Sequence, residues 1–238
     1  MSIITFHGAD HKCGTSMVAQ SVAEKIAADH PDCSVLLVHT EAQAGIEYSP
    51  FVSESMERIR PYMSGRVIDT DEIVERAKVS RNLSIIGGSE NPECSWDYHP
   101  DMAAFFLSAV KNSYDVIICD SGSEIGHGLA LGSLMSAELC CLVLTQCESA
   151  LRRFEWQRTL FERLSVTFDT YVINNYERSG MFGKGDITVR LSAENSRVCT
   201  VRRSPFGECA ELDRKTLLQY RDSGYARDIT RLAEVFFR

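Results

Sequence analysis

The residues best suited to chemistry stand near the start of the chain, in "ITFHGADHKCGTSMVAQSVAEKIA" from Ile4 to Ala27. A short apolar run passes through a small-residue turn into helical spacing, the outline of a strand, a phosphate-binding loop and a helix. Backbone N–H groups and the helix dipole favour an anion at such a helix start. Gly14 permits close backbone approach, with Lys12, Cys13, Thr15 and Met17 around it, and the Ser16 hydroxyl stands where it can reach a metal ion. The usual Gly-Lys-Ser/Thr is Gly14-Thr15-Ser16 here, so the lysine is missing. Gly8 lies one residue too far from Gly14 for the usual glycine spacing, and Ala9 holds the expected glycine place.

Other strand ends add candidates. "YDVIICDSGSEIGHG" (Tyr114 to Gly128) is an apolar run closing on Asp120, where a carboxylate can hold a magnesium-bound water. "VLLVHTEAQAG" ends at His39 with Glu41 two residues on. Glu41 can position a water or contact the metal, although a strand-end glutamate needs no function; His39 reads as structural. "YVINNY" places Asn174 just past an apolar run, where an amide can pair with an adenine edge. Asparagine there is also ordinary turn chemistry.

Positioning these residues requires an alternating framework. Continuous apolar runs at Ile3–Phe6, Val35–His39, Leu83–Ile86, Val116–Cys119, Cys140–Leu144 and Tyr171–Ile173 predict buried parallel strands. Helical spacing falls at Ser16–Ala28, Asp71–Val79, Met102–Lys111, Ser149–Leu164 and Arg227–Phe237. The alternation predicts an α/β fold, a doubly wound, mainly parallel sheet that binds ligands at the carboxyl ends of its strands. Residues 1–238 are expected to form one domain. Ser89–Pro100 reads as a surface loop and Tyr176–Asp186 as a mobile one.

Composition narrows the classes. Of 238 residues 44% are hydrophobic and the formal charge is −8, so a broad basic surface for nucleic acid is not expected. The nine cysteines contain no C-x-x-C pair and most sit in apolar runs, as reduced core thiols of a cytoplasmic protein do. In "ARDITRLAEVFFR", Ile229, Leu232, Ala233, Phe236 and Phe237 share a stripe that suits packing on a sheet better than anchoring in a membrane. The three arginines of "LRRFEWQR" (Leu151 to Arg158) read as a solvated helix face.

The order of these motifs resembles the MinD/ParA class of deviant P-loop ATPases. The resemblance runs through the Gly14-Thr15-Ser16 loop, "VLLVHTE", "LSIIGG" (Leu83 to Gly88), "YDVIICDSGS", "SAELCCLVLTQCESAL" (Ser136 to Leu151), "VINN" and "RRSPFGE" (Arg202 to Glu208). Within the class, a loop without its lysine is most similar to the TadZ/CpaE-like pilus-assembly branch, with its atypical Walker A motif. The resemblance implies ATP or ADP with Mg2+, phosphates cradled by Gly14, Thr15 and Ser16, magnesium served by Ser16 and Asp120, and Asn174 facing the adenine. The loop containing Arg203, Pro205 and Phe206 would flank the base or ribose. It also implies a homodimer with protein partners in a pilus or secretion assembly, peripheral to the membrane through those partners.

The class signature lysine is replaced by Asp10, and two loop glycines by His11 and Lys12. An acid there adds repulsion toward phosphate, so slow turnover at most is expected, unless Lys12 or His11 points inward. A second expectation is a nucleotide-free scaffold that retains the fold. A nucleotide-dependent enzyme such as a bacterial-type tyrosine kinase is disfavoured, since it would want the Walker lysine and a tyrosine-rich tail.

Overall fold

A computed structural model describes residues 2–237. Seven strands, β1 (Ser2–Gly8), β2 (Val35–His39), β3 (Leu83–Ile86), β4 (Val116–Asp120), β5 (Leu139–Leu144), β6 (Thr170–Tyr176) and β7 (Val198–Arg202), form one sheet ordered β3-β2-β4-β1-β5-β6-β7. Every pairing is parallel. The six apolar runs read from the sequence fall within β1 to β6, and β7 extends the sheet at the edge.

Nine helices connect and cover the strands among the described residues: α1 (Thr15–Asp29), α2 (Met56–Ser64), α3 (Thr70–Ala77), α4 (Pro100–Val110), α5 (Gly128–Ser136), α6 (Glu148–Arg163), α7 (Lys184–Leu191), α8 (Gly207–Asp213) and α9 (Ser223–Phe236). Four of these, α2, α5, α7 and α8, lie outside the helical periodicity read from the sequence. Ser89–Pro100 is not wholly irregular: a 3-10 turn spans Pro92–Asp97, and Pro100 already opens α4.

Strand side chains point alternately to the two faces, so each strand feeds two cores. On one face Ile4, Phe6, Val35, Leu37, Val116 and Ile118 pack with α1, α6 and α9. On the other, Ile3, Leu36, Val38, Ile117 and Cys119 pack with α2, α4 and α5. Two buried faces explain why the strands read as continuous apolar runs. Each fully buried aliphatic side chain contributes about 2 kcal/mol.

Helix α9 begins four residues before the expected stretch, because Asp222 caps it by accepting the N–H groups of Gly224 and Tyr225 at 3.0 and 2.9 Å. Its Ile229, Leu232, Ala233 and Phe236 are buried. Asp228 accepts a forked pair of bonds from Arg202 at 2.7 and 3.0 Å, which ties α9 to β7. Among the described residues no helix is long and apolar enough to cross a membrane.

The thiols divide. Cys13, Cys33, Cys119, Cys140 and Cys141 are buried as expected, but Cys147 and Cys209 are exposed. The side chain of Cys94 lies outside the described residues.

Candidate functional site

The order of the sheet brings β2, β4 and β1 side by side, so their carboxyl ends meet. Phe6 pairs with Asp120, and His39 pairs with Asp120 from the other side. The loop after β1 is fastened to both neighbours: the Gly8 N–H donates to Gly122 O at 2.6 Å and the Ala9 N–H to Val143 O at 2.8 Å.

Gly14 is the residue that turns this loop into α1. Its φ of 78° is left-handed, which favours glycine, and a Cβ there would lie 2.4 Å from Asn174 Nδ2. No side chain caps α1. Its first-turn N–H groups, without partners inside the helix as at any helix start, are left by the missing cap free for an anion. Thr15, in the lysine position, is buried with its hydroxyl turned back against Gly8, where a Cβ would come within 2.5 Å of Oγ1.

Below the loop lies a carboxylate pair, Asp120 buried and Glu41 half-buried. Asp120 is fully buried; its Oδ1 accepts the Gly122 N–H at 3.1 Å and its Oδ2 stands 3.2 Å from His39 Nδ1. Burial pushes the Asp120 carboxyl up, but His39, the Ser16 hydroxyl and the Gly122 N–H outweigh it and hold the group below the usual carboxylate range. Glu41 goes the other way. Burial, then the charges of Asp120 and Glu47, push it up to about 9, against the pull of a hydrogen bond with Ser16. Glu41 lies over Gly122, whose φ of 58° and lack of Cβ leave room for it: a Cβ would come 2.7 Å from Oε2.

Two carboxyl groups and a hydroxyl come together here, one acid pushed up by burial and then by its neighbour's charge, and make a place short of positive charge. Such a donor set fits Mg2+. Of the residues read from the sequence, Ser16, Glu41 and Asp120 are thus brought together. Ser16 and Glu41 line a cleft of about 500 Å³ together with Lys12, Gly14, Glu47 and Gly122, and Asp120 lies buried outside its lining.

A second cleft, of about 480 Å³, lies on the other side of the loop and shares Lys12 and Cys13 with the first. Asn174 is buried beside it, and its Nδ2 donates to Cys13 O at 2.8 Å, holding the loop from behind. The exposed neighbour Asn175, at φ 52°, and Arg203 line this cleft instead. Pro205 is exposed, while the Phe206 ring stacks on Tyr220 at 5.5 Å. Cys13 is buried, and burial pushes its thiol up to about 11. Met17 turns its sulfur inward, toward the Leu217 N–H at 3.3 Å.

The rim holds what sequence reading missed. Arg153 does not lie on a solvated helix face: it reaches from α6 to Asp10 at 3.3 Å and to Glu124 at 2.7 Å. Asp10 is therefore compensated rather than simply repulsive. His11 is also engaged, with Ser123 Oγ at 3.0 Å and Glu124 at 2.8 Å. Lys12, at φ 59°, makes no ion pair among the described residues and lines both clefts. The nearness of "SEIGHG" to a strand end was a signal for this rim; the reach of Arg153 had none.

No family model matches the sequence, and no curated protein does. Solved structures do match. A ParA family ATPase from Chlorobium tepidum TLS superposes with a TM-score of 0.85 at 18% identity, covering 98% of each chain. The cell division ATPase MinD of Pyrococcus furiosus gives 0.78 at 16% identity over 99% of this chain and 98% of its own. The septum site-determining protein MinD from Pyrococcus horikoshii OT3, complexed with Mg-ADP, gives 0.79 at 16% identity over 100% and 96%. Over nearly its whole length the chain has the α/β fold of the ParA-family and MinD ATPases.

Proposed function

We propose that this chain is a MinD/ParA-like protein that binds ATP or ADP with Mg2+ and turns ATP over slowly at most. The observation that carries the reading is the uncapped start of α1 at Gly14, set directly above Ser16, Glu41 and Asp120. Phosphates would lie on the N–H groups of Gly14, Thr15 and Ser16, with the base toward the cleft of Asn175 and Arg203 beyond Asn174. Ser16 and Asp120 would hold the magnesium ion, which supplies the positive charge that the loop lacks. Glu41 would orient a water.

Slow turnover follows from Thr15. A lysine at that position supplies charge to the β- and γ-phosphates, and a buried hydroxyl cannot; the loss of such a donor costs about 3 kcal/mol of transition-state stabilisation. With slow turnover the protein acts as a localisation or assembly factor, working as a homodimer with protein partners of a tight-adherence pilus or secretion system. Solved structures of similar fold include a complex named MinC:MinD, which supports partner binding as this fold's mode of action.

Isothermal titration of the whole chain with Mg-ATP tests the reading. Expected is binding tighter than about 1 mM and a rise in Tm at saturating nucleotide. Affinity weaker than that, with no change in Tm, sinks it. The rim favours one alternative, a nucleotide-free scaffold, because Arg153 is already taken up by Asp10 and Glu124. Partner binding by the unaltered chain that depends on added Mg-ATP would count against the scaffold.

A further inference from the structure

We propose that His39, Glu41 and Asp120, with Ser16, form a cation site that takes a borderline divalent ion (Mn2+, Co2+ or Zn2+) in preference to Mg2+. It deepens the proposed function and rests on that reading only for the ligands a nucleotide would add. A nitrogen of His39 and carboxylate oxygens of Glu41 and Asp120 lie within 4.8 Å of one another. Two ligands of one ion at ~2.1 Å are at most ~4.2 Å apart, so the cluster closes on an ion through a side-chain movement of under about 1 Å.

The imidazole decides the selectivity. Magnesium is hard, takes oxygen ligands and holds its waters, whereas the later divalent ions accept imidazole readily. His39 is fully buried, so the ring cannot swing out to solvent to make room for an all-oxygen shell. Its packing against Gly45, where a Cβ would lie 2.3 Å from the ring, holds it in place.

The ring faces the cluster through one nitrogen. Nδ1 faces Asp120 Oδ2 at 3.2 Å, and Nε2 has no hydrogen-bond partner. Binding through Nδ1 sends the ring proton to Nε2, where it meets no acceptor among the described residues, a cost that the bonds to the ion must exceed. An ion between Nδ1 and Oδ2 then replaces one hydrogen bond with two coordination bonds, while Glu41 and the Ser16 hydroxyl complete the near side.

The test uses the nucleotide-free whole chain titrated calorimetrically with MnCl2, CoCl2 and MgCl2. Expected is binding of Mn2+ and Co2+ at least about tenfold tighter than Mg2+, a ratio that falls by about tenfold in His39→Asn and persists in Ser16→Ala, where all three ions weaken together. Should His39→Asn fail to fold, the Co2+ form of the unaltered chain decides: its proton spectrum should carry a paramagnetically shifted exchangeable imidazole N–H from His39. Equal affinities, a preference that survives His39→Asn, or no shifted N–H would overturn the inference. Because nucleotide is absent, failure here is distinct from failure of the Mg-ATP titration.

Discussion

The floor and the rim of the cleft are both built from charged groups, yet they obey different physics. On the floor, Asp120 and His39 are fully buried, and each contact has little alternative. On the rim, Asp10, Arg153, Glu124 and His11 form a longer chain of ion pairs, with the Glu124 carboxylate about half exposed. Buried groups are costly to leave unpartnered, while exposed pairs are screened by water and salt and contribute little. The floor is therefore part of what holds the protein together, and the rim is the part free to rearrange when something enters.

The largest expected effect tests the floor. Asp120→Ala removes the acceptor of the Gly122 N–H and the partner of His39 and should cost about 4 kcal/mol, read from urea unfolding. Glu41 holds its proton at neutral pH, so relief of its repulsion returns little. A loss under about 1 kcal/mol would place the floor on the same footing as the rim.

A pH test comes next. His7 is buried behind Asp120, with Nδ1 on Ser121 Oγ at 2.9 Å, and burial lowers its pKa from 6.5 to about 4. The unfolded chain takes up that proton at higher pH than the folded one, so stability falls as pH drops from about 6.5 toward 4, reaching a loss of about 3 kcal/mol. In His7→Gln the acid limb of the stability profile should flatten by that amount, and an unchanged limb would remove His7 as its cause.

The sequence disclosed these two regions unequally. Strands β1 to β6 were legible because a sheet covered on both faces writes continuous apolar runs, and strand-end logic then led to Ser16, Glu41 and Asp120. Strand β7 was hidden because Cys199 and Thr200 are only partly buried and Arg202 is exposed, so no run forms. Helix α2 carries Pro61 within it, and α5 carries Gly128 and Gly132, residues that lower helical propensity. The bond from His39 to Asp120 was hidden because it joins two strands far apart in the sequence. Arg153 escaped because periodicity gives the face of a helix, not how far a long side chain reaches.

Two smaller effects sharpen the contrast. Gly14→Ala joins floor to rim: the left-handed φ and the collision with Asn174 should cost about 2 kcal/mol. Adding Asn174→Ala should recover only the collision, which a double-mutant cycle would show as coupling. Arg153→Ala, on the rim, should cost less than about 1 kcal/mol, and less still in 1 M salt, by urea unfolding at two ionic strengths. A larger, salt-independent loss would make the rim a structural clamp.

The parallel pairing of β1 with β4 also sets a schedule for synthesis. Ser2 meets Val116, so more than a hundred residues must leave the ribosome before β1 gains this neighbour. At roughly 5–20 residues per second that is on the order of ten seconds, during which the apolar strand Ile3–Phe6 waits unpaired on this side. Its other neighbour, β5, arrives later still, with Ile4 beside Leu139. Strand β1 thus waits longer for its first partner than β2 does for β3, and through that interval its exposed edge is open to chaperone capture or to aggregation.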